Sequence, residues 1–317
     1  MKTKVATITL NPAIDHTAAI PYFTAGEVNR VTWEQIDPGG KGINVASFLS
    51  GFDVPISVSG FLGQHNADLF QRFFAEKQID NRFVMVDGYT RVNIKIVDEA
   101  QDQVTDINFP GLTPTETDLS SFDQVIDSLI KDCDWFILSG SIPTGMSADI
   151  YGKLIDRLKR QGKTVVLDAS GESLQQAIPF APYAIKPNVN ELQELIGRSL
   201  DDDRAIIQAA EDLIHQGIQC VVVSMGAKGA IFVDRSEVIH ARPPQVEVIS
   251  TVGAGDAMVA GFIVGKLQNF SLSDCAKLAT TCSIAALSQI GPRLPPRDTI
   301  ESWMSQVKIK SLLQTHR

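Results

Sequence analysis

The sequence predicts an α/β protein: a mostly parallel sheet with helices packed on both faces, accompanied by a small second β-sheet. Short apolar, β-rich runs recur at residues 5–10, 56–61, 135–138, 164–167 and 220–224. Helical patterns lie between these runs, and strands separated by helices join in parallel and are covered on both sides. Two stretches, 17–36 and 83–109, break the alternation. Polar and apolar residues alternate there with no long helix between, as in half-buried strands of a separate sheet.

The first run, at 5–10, follows a Lys-containing start that imitates a secretory leader, but Asn11, Pro12 and Asp15 interrupt the apolar stretch too early for one. It reads as a buried strand. No apolar run approaches the ~18 residues of a membrane span, so a soluble cytoplasmic protein is expected. The 317 residues, 44% hydrophobic, suffice for one large domain with a small accessory one. With 28 Lys+Arg against 37 Asp+Glu the net charge is -9. That disfavours nucleic acid or an anionic membrane as partner and requires any bound anion to be held by a local pocket. Cys133, Cys220, Cys275 and Cys282 have neither disulfide-framework nor zinc spacing and read as reduced thiols.

In the 83–109 stretch, Arg91, Asn93 and Lys95 fall on one face of a strand and Val92, Ile94 and Ile96 on the other. The polar row either seeks an anion or is a solvated edge that blocks aggregation. After 292 the tail carries Pro295 and Pro296, then a helical pattern around Trp303 with a frayed basic end expected beyond it.

Four glycine- or asparagine-containing segments carry the chemistry. Ser250-Thr251-Val252-Gly253-Ala254-Gly255-Asp256 runs into an apolar helix. Small residues at a helix start let backbone N–H groups approach an anion; Asp256 is there either as a base or as a plain helix cap. Gly39-Gly40-Lys41-Gly42-Ile43-Asn44 again sets glycines before a helix. It is no Walker A loop, and no G-x-G-x-x-G follows the first strand, which removes the main support for P-loop and dinucleotide readings. Lys186-Pro187-Asn188-Val189-Asn190-Glu191 places Asn188 and Glu191 three apart, an arrangement that a capping box also explains. Ser224-Met225-Gly226-Ala227-Lys228-Gly229 is either a nucleotide-contacting loop or an ordinary glycine turn.

In combination these segments resemble the PfkB, ribokinase-like carbohydrate kinases over essentially the whole chain. The resemblance implies a three-layer α/β/α core of residues 1–10, 38–82 and 110–317, and a β lid of 11–37 and 83–109 that covers the sugar and forms a homodimer contact. It makes Asp256 the base for the acceptor hydroxyl and Gly253, Ala254 and Gly255 the anion hole. Glu191 organises Mg2+, with Asn188. Lys186, Ser224, Met225, Gly226, Ala227, Lys228, Gly229 and Thr251 lie on the ATP side, and Asp15, Gly39, Gly40 and Asn44 on the sugar side. The segments 26–30, 90–95 and 105–111 are most similar to family members that phosphorylate fructose 1-phosphate at its 6-hydroxyl. Arg30, Lys41, Arg91, Lys95 and Ser139 then hold the phosphate already on the sugar, Arg91 first among them. Tagatose 6-phosphate is the alternative acceptor, and an inactive sugar-phosphate sensor the alternative of another class. One departure is Asp53, where the family has Gly or Ser near a helix end; Asp tolerates the left-handed conformation such ends need.

Overall fold

The computed structural model describes residues 4–246 and 248–312. In chain order the elements are β1 (Val5–Thr9), β2 (Ala13–Ala19), β3 (Trp33–Gly39), α1 (Lys41–Ser50), β4 (Ile56–Gly63), α2 (Asp68–Glu76), β5 (Asp80–Asn81), β6 (Val84–Val86), β7 (Val92–Asp98), β8 (Gln103–Ile107), α3 (Glu116–Asp132), β9 (Trp135–Ser139) and α4 (Ile150–Arg160). There follow β10 (Thr164–Asp168), α5 (Gly171–Ala177), β11 (Ala184–Ile185), α6 (Val189–Ile196), α7 (Asp203–His215), β12 (Cys220–Ser224), β13 (Ala230–Asp234), β14 (Val238–Arg242), α8 (Ala254–Leu267), α9 (Leu272–Leu287), α10 (Arg297–Met304) and β15 (Lys308–Leu312).

Among the described residues the large sheet runs β15-β14-β13-β12-β11-β10-β9-β1-β4-β5, with β6 also paired to β4. From β5 to β12 the pairings are parallel. The three pairings from β12 to β15 are antiparallel. The five apolar runs form the strands expected of them, and helices cover both faces. One layer packs α1, α8 and α9 against Val5, Val58 and Val222; the other packs α3, α4 and α7 against Ile8, Leu138 and Val221. Adjacent residues of one strand thus feed opposite cores, as the two-residue period of a strand requires. The result is the three-layer arrangement with a mostly parallel sheet.

The separate small sheet has the order β3-β2-β7-β8. Its register puts Asp15 beside Asp37 and Asn93, and Thr17 beside Gln35 and Lys95, on one polar face. Ile14, Ile36, Val92 and Ile94 share the other face. Val84–Val86, inside the expected 83–109 lid segment, pairs with β4 and so leaves the small sheet.

The tail differs from expectation. The helix around Trp303 is present as α10, but the basic end beyond it is strand β15, laid antiparallel on β14. Lys308 and Lys310 are exposed while Ile309 packs on the core, so an alternation that reads as fraying is an edge strand protected by its lysines. Residues 313–317 lie outside the described residues. Asp53 has φ 55°, the left-handed conformation anticipated, three residues beyond the end of α1.

Candidate active site

The C-terminal ends of the parallel strands bring the chemistry together, as open α/β sheets do. β10 ends on Asp168, fully buried. Its Oδ1 accepts from Lys41 Nζ at 3.0 Å, at the start of α1, and lies 3.4 Å from Lys186 Nζ. Its Oδ2 is buried without a hydrogen-bond partner. Burial alone would raise this carboxyl's pKa; the charges of Lys186 and Lys41 outweigh burial and hold it below the usual carboxylate range.

Asp256 stands in the first turn of α8, 6% exposed, behind Gly253, which caps the helix with φ 77°. Asn44 Nδ2 donates to Asp256 Oδ2 at 2.8 Å. The Asp256 pKa is pushed up to about 6, by burial first and then by the charge of Asp168, against the pull of Lys41, Asn44 and Lys186. Lys41 loses by burial and gains more from Asp168 and Asp256, so its ammonium sits above the usual lysine range. Lys186 Nζ is 3.3 Å from where a Cβ on Gly255 would stand. A glycine there lets the lysine lie against the helix N-terminus. Two cations, one shared carboxylate, a carboxyl of raised pKa and a helix N-terminus therefore occupy one spot.

On the sugar side, a cavity of about 790 Å³ separates the small sheet from residues 248–252 and 290–292, with Asp15, Asp37, Asn93, Lys95 and Thr251 in its wall. Gly39 is required here, because a Cβ on it would come within 2.1 Å of Asp15 Oδ2. Asn93 Nδ2 donates to Asp15 Oδ1 at 3.3 Å. Burial holds the Asp15 pKa above the usual carboxylate range despite the Asn93 bond and the Arg91 charge. On the other side, Asn188 caps α6 through a complete capping box with Glu191, and bridges to Ser224. A cavity of about 330 Å³ there is lined by Asn188, Ser224, Met225, Gly226 and Lys228 together with Asp201, Asp202 and Asp203.

Not every expected residue joins these groups. Lys41 belongs to the Asp168–Asp256 cluster and not to a distant phosphate clamp, because Asp168 draws its ammonium inward. Arg30 is exposed in the segment between β2 and β3 and lines neither cavity. Ser139, the last residue of β9, is fully buried and stands in register with Asp168 on the neighbouring strand. Lys95 lines the larger cavity but is ion-paired with Asp106 across β7 and β8. Arg91 donates to the carbonyl oxygens of Asn11, Pro12 and Phe109 at 2.9, 3.2 and 3.1 Å. It thereby ties the start of β2 to the segment after β8 and lies beside Asp15.

Asp168 was missed in the sequence. Its signal is an acidic residue closing an apolar parallel strand, the edge at which such sheets bind ligands. Asp37, held by Arg293 at 2.7 Å, is a second residue that spacing could not reveal.

A buried carboxylate and a small-residue helix N-terminus, flanked by paired lysines and by cavities on two sides, define a phosphoryl-transfer enzyme acting on a small molecule. The model of the pfkB family of carbohydrate kinases matches residues 8–299, and the chain belongs to that family. Among its relatives, 1-phosphofructokinase from Rhodobacter capsulatus is 44% identical over 313 residues, 98% of this chain and 99% of that protein. The structure of phosphofructokinase-2 from Escherichia coli in complex with substrates and products superposes with a TM-score of 0.88 at 28% identity, covering 95% of this chain and 98% of that one. Ribokinase from Thermotoga maritima shares the fold, with a TM-score of 0.77 at 21% identity over 96% of this chain and 99% of that one. The chain is a ribokinase-like carbohydrate kinase.

Proposed function

We propose that this protein transfers the γ-phosphoryl group of ATP to the 6-hydroxyl of fructose 1-phosphate, giving fructose 1,6-bisphosphate and ADP. The observation that carries the reading is Asp256: a carboxyl with its pKa pushed up to about 6, fixed by Asn44 beside the N-terminus of α8. The specific acceptor rests on the 1-phosphofructokinase relatives, 37–44% identical over 98% or more of this chain.

In this mechanism Asn44 holds Oδ2 of Asp256, and Oδ1 takes the proton of the 6-hydroxyl as its oxygen attacks the γ-phosphorus. A bond forms from that oxygen to phosphorus, the bond from phosphorus to the β–γ bridging oxygen breaks, and the electron pair leaves on ADP. The backbone N–H groups at Gly253, Ala254 and Gly255 receive the negative oxygens of the group in flight. Lys41 and Lys186, already oriented by Asp168, neutralise them from the other side. Asp15 and Gly39 grip sugar hydroxyls, Arg91 takes the 1-phosphate with guanidinium hydrogens its carbonyl contacts do not use, and residues 224–229 with Thr251 hold the nucleotide.

Magnesium fits this donor set. Among the described residues no group of three acidic, His or Cys side chains forms a cage, which suits an ion that keeps waters and leans on substrate phosphates. Glu191, whose capping bond uses Oε2, and the unpartnered Oδ2 of Asp168 would hold it through water. Bound there, it supplies charge neutralisation of the ATP phosphates.

The small sheet, strands β2, β3, β7 and β8, serves as the lid over the sugar and excludes water as an acceptor. Its outer face carries Ile36, Val92 and Ile107, each 37–47% exposed, and a second copy of the chain covers it. Among the described residues no helix is long and apolar enough to cross a membrane, and we propose the cytoplasm as the enzyme's location. A panel of fructose 1-phosphate, tagatose 6-phosphate, fructose 6-phosphate and fructose, each with ATP and magnesium, tests the reading. The highest kcat/KM is expected for fructose 1-phosphate, and preference for another acceptor rejects that substrate.

A further inference from the structure

His240 lies on β14, 2% exposed, on the face covered by α7, where Val238 and the in-register Ile231 also pack. Its Nε2 is 3.1 Å from the carbonyl oxygen of Lys228, an acceptor, so that nitrogen carries a hydrogen and donates it. Its Nδ1 is buried with no hydrogen bond and faces Asp203 Oδ2 at 3.5 Å. A bare lone pair there would point at a carboxylate, whereas a second ring proton turns the contact into an ion pair. The other charged groups around the ring are Lys310 of β15, in register with His240, Arg242 two positions on along β14, and the Lys228 side chain, which is exposed.

The two groups that His240 joins both line the 330 Å³ cavity: the turn at Gly226–Lys228, and Asp203 at the start of α7. The turn is fastened to β14 at the adjacent position as well. A Cβ on Gly229 would lie 2.0 Å from the carbonyl oxygen of Ala241, so only glycine lets the two chains touch there. The ring and the glycine together set where the turn sits relative to Asn188 and Ser224.

We propose that His240 is a positioning residue for the nucleotide: its ring, set between the Lys228 carbonyl and Asp203, fixes the turn that ATP leans on. This rests on the reading of residues 224–229 as the ATP side. The test measures KM for ATP and for fructose 1-phosphate, with kcat and thermal stability. The wild-type enzyme, His240→Ala, His240→Gln and Asp203→Asn are compared. His240→Ala is expected to raise the KM for ATP roughly 3- to 10-fold, the worth of one buried hydrogen bond, with kcat and sugar KM within about twofold. His240→Gln, whose amide nitrogen reaches the Lys228 carbonyl, restores the low KM, and Asp203→Asn raises it less than His240→Ala does. An unchanged ATP KM in His240→Ala, or a parallel loss of kcat, both KM values and thermal stability, overturns the proposal while the kinase reading stands. Absence of ATP-dependent transfer by the wild-type enzyme overturns both.

Discussion

Lys41 and Asp168, 127 positions apart in the chain, meet at 3.0 Å between Nζ and Oδ1, and Lys186 approaches the same oxygen at 3.4 Å. One carboxylate thus holds two ammonium groups at the mouth of a helix N-terminus. Neither lysine needs to be ordered when the phosphoryl group arrives, and such preorganisation is where electrostatic catalysis gets most of its effect.

The first prediction follows from that triad. Lys41→Met removes a cation whose charge lowers the Asp256 pKa, so the base becomes harder to deprotonate. The acid limb of the kcat profile is expected to move to higher pH, with kcat at neutral pH down more than ~10-fold and sugar-phosphate KM changed little. A large rise in that KM with kcat intact would return Lys41 to the sugar-phosphate clamp. Asp168→Asn leaves two lysines unpaired and is expected to cost about 3 kcal/mol of stability, read by denaturant unfolding.

Asp256→Asn separates chemistry from stability. Loss of the base lowers kcat by at least ~100-fold while both substrates still bind. The folded-state pKa of Asp256 lies above its unfolded value, so the fold favours the protonated form. Its contribution is present below the unfolded pKa and is lost as pH rises through about 6. At pH 8 a neutral Asn relieves that penalty, and Tm is expected to rise by ~2 °C or more. Near-normal turnover in a coupled assay would reduce Asp256 to a helix cap.

How much of this was legible in the sequence depends on what each residue needs for its role. The strands around Val5, Val58 and Val222 were readable because burial on both faces demands continuous apolar runs. The two faces of the small sheet were readable from Asn93 and Lys95 alternating with Ile94 and Ile96, since strand parity is local. Asp168 was not, because its role exists only where three separate strand and helix ends converge, and an Asp after an apolar run looks like any loop entry. Ser139 and Arg30 are of residue types that suit phosphate, but their placement, Ser139 beside Asp168 and Arg30 exposed between β2 and β3, is set by the fold and not by local sequence. The β15 strand was hidden because it is stabilised by pairing with β14, a partner 74 positions earlier at Val238↔Leu312 and 66 at Arg242↔Lys308.

Arg91→Ala tests the clamp and the lid hinge together. Its guanidinium holds carbonyls of Asn11, Pro12 and Phe109, so truncation frees both the start of β2 and the segment after β8. KM for fructose 1-phosphate is expected to rise at least ~10-fold and KM for ATP less than about twofold, with roughly 2 kcal/mol of stability lost. An unchanged sugar KM alongside the stability loss would leave Arg91 a structural tie only.

The last prediction concerns assembly. The small sheet turns Asp15, Thr17, Asn93 and Lys95 toward the large cavity, and Ile36 and Val92 on its other face are exposed. Ile107 of β8 pairs with Ile94 and extends that apolar face, and Phe109 beyond it is 46% exposed. A four-stranded sheet with one face on a solvent-filled cavity and the other apolar in water is poorly supported alone. Pairing two copies face to face would bury both outer surfaces and rigidify both lids, so assembly and sugar binding are expected to be coupled. Ile107→Glu sets a charge in that interface away from Asp256 and the lysine pair. Light scattering is expected to show twice 34.5 kDa for the wild-type chain and 34.5 kDa for the variant, with a raised KM for fructose 1-phosphate and a nearly unchanged KM for ATP. A wild-type protein that is monomeric at assay concentration, or a monomeric variant with normal sugar KM, would show that the lid works without a partner.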